Sequence, residues 1–306
     1  MDLVAGPVTV RVPATSANLG PGFDSLGIAL SLYDEVTVEV LDDAPGPPEI
    51  AVDGEGAGDV PLDEGHLVHR AVCAAFQAMA LTPPRVRLHC RNDVPHGRGL
   101  GSSSAAIVSG LWAARELVPG GEQRWHDSAL LDLAARIEGH PDNVAPAVLG
   151  GFTIAYQHSG EYAAVKVPVA PGLGLLLLVP EHPVPTTIAR TLLPVSVAHE
   201  DASRNASRTA LLAAVLSGAA DPDLMLVATE DWLHQPYRGE AMTESVALMQ
   251  ELRREGAAAV ISGAGPSVLV IARDSTIEEL RDRDHPDWTA LHLQVDTEGA
   301  TRSVGV

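Results

Sequence analysis

The stretch PHGRGLGSSSAA, residues 95–106, joins a glycine-rich loop to the expected start of a helix. Gly97, Gly99 and Gly101 carry no Cβ atom that would keep an anion away from the backbone. The first N–H groups of a helix have no intrahelical partner, and they point at any anion bound there. Apolar residues continue at helical spacing directly after the serines, which favours a helix over a flexible Gly/Ser linker. The segment therefore predicts a phosphate-binding loop.

This loop matches neither of two common phosphate-binding motifs. The motif G-x-x-x-x-G-K-[ST] needs a lysine after its last glycine, where Ser102 stands. The dinucleotide motif G-x-G-x-x-G needs a glycine at that same position. Instead, the hydroxyl groups of Ser102, Ser103 and Ser104 are placed to reach a phosphate or a magnesium ion. The loop is therefore of another kind.

The length and net charge of the chain indicate which kinds of binding partner to expect. The chain has 306 residues, which is enough for a large core and for either two domains or one large domain. Its 40 acidic residues outnumber the 20 basic ones and give a formal net charge of -20. Because such a charge repels nucleic acid and anionic membranes, we expect neither as a partner.

The few lysines and cysteines limit the covalent and metal chemistry that the chain can support. Lys166 is the only lysine and alternates with valines, so we expect it on a surface strand, and any Schiff-base chemistry would have to use it. Cys73 and Cys90 lack metal-ligand spacing, which predicts core thiols in a reducing compartment. We find no secretory signal pattern and no apolar run long enough to span a bilayer, and we expect a soluble, cytoplasmic protein.

The order of expected elements predicts the α+β class. Strand patterns occur in pairs close in sequence, and helical patterns are interspersed irregularly between them. This order argues against a regular parallel βαβ array. The glycine pair at positions 150 and 151 marks a break in this order, and a boundary near residues 155–170 gives two domains, which we place at residues 1–160 and 161–306.

Three further segments combine polar side chains with glycine or proline. PATSANLGPGFD, residues 13–24, follows a strand and suits either a small polar ligand or a turn with local side-chain hydrogen bonds. EGHPDN, residues 138–143, ends a helix and either holds a metal and substrate or simply caps the helix. SGAGPS, residues 262–267, is either a plain hairpin or a second tight loop closing over a site.

Taken together, these segments resemble the signature of the GHMP small-molecule kinases. The resemblance rests on VRVPATSANLGPGFDSLGIAL at residues 10–30, P-x-x-x-G-L-G-S-S at residues 95–103 and SGAGPS at residues 262–267. GHPDNVAPAVLGGF at 139–152, TIARTLLP at 187–194 and HQPYR at 234–238 are similar to the branch of that family acting on L-homoserine. The similarity covers about residues 8–272, nearly the whole chain.

The resemblance implies a fold, a reaction and a nucleotide site. The expected fold is α+β, with a ribosomal-protein-S5-like N-terminal domain and a ferredoxin-like C-terminal domain. The expected reaction transfers a phosphoryl group from ATP to the side-chain hydroxyl of L-homoserine, a step toward threonine. The implied ATP contacts are Pro95, His96, Gly97, Arg98, Gly99, Leu100, Gly101, Ser102, Ser103, Ser104 and Ala105.

The resemblance also assigns roles at the reacting groups. Glu138 with Ser102 or Ser103 is expected to bind Mg²⁺, which agrees with that ion's preference for oxygen ligands. The implied amino-acid-binding residues are Asn18, Asp24, His140, Thr186, Arg190 and Arg238. Asn143 stands where several relatives carry an aspartate base, and because an amide takes no proton at neutral pH, it is expected only to orient the hydroxyl.

Two departures and two alternatives accompany this resemblance. Glu138 and His140 are closer in sequence than in some relatives, so carrying over both roles assumes a shortened connection. His66 replaces an asparagine often found near the adenine. A kinase of the same family acting on a mevalonate-like or shikimate-like alcohol is the first alternative, and a catalytically silent ligand-binding relative is the second. A homodimer is compatible with the resemblance.

Overall fold

The computed structural model describes residues 3–42, 44–182 and 191–303. The strands in these ranges are β1 (Val8–Ala17), β2 (Leu26–Asp42), β3 (Glu49–Gly54), β4 (Arg85–Asn92), β5 (Phe152–His158), β6 (Glu161–Val167), β7 (Leu173–Pro180), β8 (Ala259–Ile261), β9 (Val268–Arg273), β10 (Trp288–Leu293) and β11 (Thr301–Ser303). The helices are α1 (Leu67–Ala78), α2 (Ser102–Leu117), α3 (Gly121–Arg124), α4 (Asp127–Glu138), α5 (Val144–Leu149), α6 (His199–Leu216), α7 (Met225–Ala228), α8 (Gln235–Arg238), α9 (Thr243–Arg254) and α10 (Asp274–Arg281). The expected α+β class is confirmed.

The first sheet has the strand order β11-β1-β2-β4-β3, and β5 pairs with the beginning of β2 and with β6. Val8, Val10 and Val12 of β1 are fully buried, while the residues between them are half-buried. This alternation places the valines on one face, where they pack against apolar residues of α1, α2 and α5. The face that carries the helices also carries the beginning of α2, where the glycine-rich loop ends.

The second sheet has the strand order β10-β7-β9-β8, and its neighbouring strands are antiparallel. Leu175 and Leu177 of β7 belong to a core that includes Ile28 of the first sheet. Leu176 and Leu178 belong to a different core, which includes apolar residues of α9 and α10. Both faces of β7 are therefore buried, which explains why its sequence is continuously apolar instead of alternating. Among the helices of the described ranges, none combines the length and the apolarity needed to cross a bilayer.

The change from the first sheet to the second does not occur at residue 160, where the predicted domain boundary lies. That position lies in the turn between β5 and β6, which pair with each other from Phe152 to Val167 in the first sheet. The second sheet begins with β7, and β11 returns to pair with β1. The domain ranges 1–160 and 161–306 stay a prediction, and the strand pairing places the change of sheet after Val167.

Candidate active site

Residues from all four motif segments line one cavity. They are Asn18, Gly97, Gly99, Leu100, Gly101, Ser102, Ser103, Glu138, His140, Asp142, Asn143, Gly263 and Ala264, and Arg238 of the segment HQPYR lines the same cavity. The contacts that assemble this cavity join residues far apart in the chain, as in the hydrogen bond from Asn18 Nδ2 to the Gly263 carbonyl. The fold therefore brings the sequence motifs together at one place.

The glycine-rich loop enters α2 through Gly101, whose φ of +69° lies in the left-handed region. A Cβ atom at this position would lie 2.0 Å from Thr15 Oγ1, so both the backbone angle and the packing require glycine. The Thr15 N–H donates to the Leu100 carbonyl at 3.0 Å and ties the loop to β1. No side chain in the described ranges caps the beginning of α2, which leaves its first N–H groups to an external anion.

The SGAGPS segment connects the antiparallel strands β8 and β9 and also closes over the glycine-rich loop. Ser262 Oγ donates to the Gly99 carbonyl at 2.7 Å and lies 2.8 Å from Ser16 Oγ. A Cβ atom on Gly99 would lie 2.1 Å from the Ser262 carbonyl oxygen. Both interpretations of the segment therefore apply, because it is a hairpin and its Gly263 and Ala264 line the cavity.

Not every residue of the predicted nucleotide loop lines this cavity. Arg98 donates to the backbone carbonyls of His96, Pro180 and Glu181, which directs its guanidinium toward the end of β7. Ser104 is fully buried, and the Ala105 N–H already donates to the Gly101 carbonyl inside the helix.

Two other residues of the predicted nucleotide loop, His96 and Pro95, also do not line this cavity. His96 lines an adjoining cavity together with Ser102 and Ser103. Pro95 precedes the lining glycines and is half-buried. The contacts to phosphate therefore centre on the segment from Gly97 to Ser103.

Glu138 and Ser103 form an oxygen pair at the cavity wall. Glu138 is the last residue of α4, and Gly139 ends that helix with a φ of +92°. Ser103 Oγ donates to Glu138 Oε1 at 2.5 Å. The described residues contain no group of three His, Cys, Asp or Glu side chains arranged to hold a metal ion. One carboxylate and one hydroxyl nevertheless suit Mg²⁺, which commonly takes few protein ligands together with phosphate oxygens.

Asp142 organises the residues that follow this helix. It is 2% exposed, and its carboxylate accepts hydrogen bonds from His140 Nδ1 at 2.6 Å and from the Asn143 N–H at 2.9 Å. His140 Nε2 lies 4.0 Å from Glu138 Oε1. Asn143 Oδ1 accepts a hydrogen bond from Thr15 Oγ1 at 2.8 Å, which fixes the orientation of the amide.

The N-terminal motif contributes Asn18 to the cavity. Its Oδ1 accepts a hydrogen bond from the Asp24 N–H at 3.0 Å, and its backbone has a φ of +67°. The local side-chain hydrogen bond and the position at the cavity are both present, so the two interpretations of this segment are compatible. Thr15 and Ser16 lie within β1, because that strand continues to Ala17.

Arg238 lies on the one-turn helix α8. It is 3% exposed, and its guanidinium carbon lies 5.3 Å from the centre of the Phe23 ring. Its Nη1 approaches His234 Nδ1 at 3.5 Å and the Gly263 carbonyl at 3.4 Å. His234 Nε2 lies 2.7 Å from the Gly20 carbonyl, to which it donates. Burial lowers the pKa of His234, so a neutral imidazole adjoins the arginine.

Two predicted amino-acid-binding residues, Thr186 and Arg190, lie outside the described residues. Two contributors lacked an assigned role in the sequence interpretation, namely Thr15 and Asp142. Both stand inside the quoted motifs, which was the available signal. Their hydrogen bonds to Asn143 and His140 depend on tertiary contacts.

Comparison with known proteins identifies the family to which the chain belongs. The family model for the GHMP kinases N terminal domain matches residues 66–151, and that for the GHMP kinases C terminal matches residues 221–283. A homoserine kinase from Streptomyces coelicolor is 50% identical over 297 residues, covering 97% of this chain and 94% of that protein. The chain belongs to the GHMP kinase family. A homoserine kinase from Clavibacter michiganensis is 52% identical over 302 residues, covering 97% of this chain and 94% of that protein.

Solved structures show that the GHMP kinase fold extends over the chain. The crystal structure of a homoserine kinase from Cytophaga hutchinsonii aligns with a TM-score of 0.84 at 24% identity, covering 97% of each chain. A mevalonate diphosphate decarboxylase from Staphylococcus aureus aligns with a TM-score of 0.72 at 16% identity, covering 97% of this chain and 98% of that one. At these identities the likeness concerns the fold, and the expected two-domain GHMP kinase fold is confirmed.

Proposed function

We propose that this GHMP kinase transfers the γ-phosphoryl group of ATP to the side-chain hydroxyl of L-homoserine and forms O-phospho-L-homoserine. The main support is one cavity lined by a glycine-rich helix start, the Ser103–Glu138 oxygen pair and the buried Arg238. These groups suit phosphate, a divalent cation and a carboxylate respectively. The relatives from Streptomyces coelicolor and Clavibacter michiganensis, both named homoserine kinases, support the same substrate.

The nucleotide is proposed to bind with its phosphates against the N-terminus of α2. The N–H groups of this first turn and the open backbone at Gly97 and Gly99 would surround the phosphate oxygens. Glu138 and Ser103 would hold Mg²⁺, with Ser102 as the neighbouring hydroxyl. When bound, this ion supplies positive charge against the phosphate oxygens during transfer.

The amino acid is proposed to bind in the same cavity, at Asn18, His140 and Arg238. Arg238 would hold the α-carboxylate together with Arg190, which lies outside the described residues. Asp24, whose backbone N–H donates to Asn18 Oδ1, would supply a carboxylate for the ammonium group, and Asn18, which lines the cavity, would supply an amide. His140 and Thr186 complete the proposed substrate contacts.

The proposed transfer depends on alignment more than on a base. The substrate hydroxyl oxygen attacks the γ-phosphorus as the bond to the ADP oxygen breaks, and the hydroxyl proton leaves to solvent or to a phosphate oxygen. In a loose transition state the attacking oxygen carries little charge, so early proton removal is unnecessary. Asn143 would orient the hydroxyl, while Thr15 and Asp142 hold Asn143 in place.

Asn143→Ala is expected to lower kcat by about tenfold, which corresponds to one lost neutral hydrogen bond. Removal of a general base would typically lower the rate by about 10²–10⁴-fold. Steady-state kinetics with saturating ATP measure the difference. Thr15→Val, which removes the bond to Asn143 Oδ1, is the companion variant and is expected to change kcat in the same direction by less. A loss above about a thousandfold for Asn143→Ala would contradict the orienting role.

The direct test of the reaction measures ATP consumption with Mg²⁺ and a panel of alcohols. L-Homoserine is expected to be phosphorylated well above mevalonate and shikimate, because both acids lack the ammonium group that Asp24 would bind. Preference for either acid would contradict the substrate assignment. ATP binding without turnover of any panel member would favour a silent ligand-binding relative.

We also propose that the enzyme acts in the cytoplasm, in keeping with its biosynthetic reaction. A homodimer is a further proposal, and sedimentation equilibrium at several protein concentrations tests it. A constant mass equal to the 32.0 kDa chain would contradict the dimer.

A further inference from the structure

A second cavity, of about 290 Å³, adjoins the glycine-rich loop and shares Ser102 and Ser103 with the first. Its apolar wall consists of Val60, Pro61, Leu67, Val68 and Ala106. A flat ring system with polar edges suits such a wall if polar protein groups meet those edges. Of the two proposed substrates, only ATP carries a flat ring system, its base. Its phosphates are proposed to bind at the loop that this cavity adjoins.

His66 is one polar group at this cavity. It precedes α1 and is 6% exposed, yet its buried Nδ1 has no hydrogen-bond partner among the described residues. Burial lowers the pKa of His66, with a further contribution from His69, so the ring is neutral near pH 7. Buried polar groups are normally hydrogen-bonded, and this unpaired nitrogen beside the cavity therefore favours a ligand that supplies a polar partner.

Asp34 is the second polar group. It lies on β2 and is 4% exposed, and its Oδ1 accepts the N–H groups of Asp93 and Val94, each at 2.9 Å. These two bonds hold the carboxylate beneath the segment that leads into the glycine-rich loop. Within the described ranges, the hydrogen bonds of Asp34 end on Oδ1, which leaves the acceptor capacity of Oδ2 for a ligand in the cavity.

We propose that Asp34 selects the base of the nucleotide, with Oδ2 accepting a hydrogen bond from the exocyclic amine of a 6-aminopurine. The inference rests on the proposed ATP-dependent function and adds a specificity-determining residue to it. A 6-oxopurine would place a carbonyl oxygen against the carboxylate, so two acceptors would face each other without a proton. A site built to accept a hydrogen bond rejects an analogue that lacks the donor.

The experiment measures binding of ADP and of IDP, which carries a 6-oxo group, by titration calorimetry with Mg²⁺ and without homoserine. Burial raises the pKa of the Asp34 carboxyl to about 7. The titrations are therefore made at about pH 8.5, where the carboxylate is ionised. The unaltered protein is expected to bind ADP at least about tenfold more tightly than IDP.

Asp34→Asn is the decisive variant because it keeps the shape of the side chain. The amide oxygen would retain the bonds from Asp93 and Val94, and the NH₂ group would replace the acceptor that faces the base. The ratio of ADP to IDP affinity is expected to fall by about tenfold or more. An unchanged ratio in a folded variant would overturn the proposal.

Asp296→Asn is the matched control. Asp296 is 6% exposed and likewise accepts two backbone N–H groups, from Glu298 and Gly299, but it does not line this cavity. The ratio of ADP to IDP affinity in Asp296→Asn is expected to equal that of the unaltered protein. A change of this ratio as large as the one in Asp34→Asn would overturn the proposal.

The unaltered protein keeps the inference testable if Asp34→Asn does not fold. An ADP to IDP ratio below about threefold would overturn the role of Asp34 by itself. The experiment also distinguishes the proposed reaction from the proposed base preference, because nucleotide binding needs no acceptor alcohol. A shifted ratio without homoserine phosphorylation would contradict only the proposed reaction, whereas absence of binding by both nucleotides would overturn both proposals.

Discussion

Glu138→Gln is expected to lower kcat by about 10²–10³-fold, with a smaller change in ATP affinity. The Glu138 carboxylate adjoins Ser103 Oγ at the proposed Mg²⁺ site. Glutamine keeps the size of the side chain and removes the charge, which matters most when negative charge redistributes over the transferring phosphoryl group. Steady-state kinetics over a range of Mg²⁺ concentrations, with ATP binding measured separately, test this expectation.

Asp132→Asn provides the control on the same helix. Asp132 pairs with Arg136 and accepts the Tyr162 N–H, away from the cavity. Its kcat is expected to stay within about twofold of the unaltered enzyme, because changes away from functional groups usually have small effects. Normal turnover of Glu138→Gln at every Mg²⁺ concentration would instead make Glu138 a structural residue.

Arg238→Leu is expected to lower kcat/KM for homoserine by about thirty- to two-hundred-fold, equivalent to about 2–3 kcal/mol of charge-assisted hydrogen bonding. The guanidinium is buried beside Phe23 and a neutral His234, where solvent screens it little. ATP affinity is expected to change little. Kinetics with both substrates varied measure the two effects separately.

Arg208→Leu is the control for loss of an arginine from the same half of the chain. Arg208 pairs with Glu230 at 2.8 Å and lies outside the cavity. Its kcat/KM for homoserine is expected to remain near that of the unaltered enzyme, since this half-buried arginine makes its contacts outside the cavity. Equal losses for homoserine and ATP in Arg238→Leu would argue against a carboxylate-binding role.

The sequence predicted the α+β class, the family and most of the residues that line the cavity. Local rules carried the class and the loop, because alternating valines define β1 and glycines followed by an apolar helical pattern define the entry into α2. The family and the site residues came from the resemblance of the motifs. The motifs also named Glu138, His140 and Asn143 before their surroundings were known. Such features depend on neighbours in sequence, and they can therefore be recognised without a tertiary structure.

Other features depend on which distant residues meet. The helical position of Arg238 and its contact with Phe23 have no periodic signal in so short a segment. Likewise, Ser104 and Ala105 follow the same loop as Ser103, but their burial and helical bonding remove them from the cavity. Whether a polar residue faces a site or the core depends on packing, to which sequence spacing alone is a weak guide.

Gly101 shows both kinds of feature at one position. Residues 95–106 were enough to predict that it precedes a helix and leaves the N-terminus of that helix open to an anion, because the backbone preference of glycine is a local property. Its contact with Thr15 required the folded chain: Thr15 lies where a Cβ atom of residue 101 would stand, and it also orients Asn143. The hydrogen bond from Thr15 joins residues 128 positions apart, and it exists because sheet pairing and core burial bring those segments together.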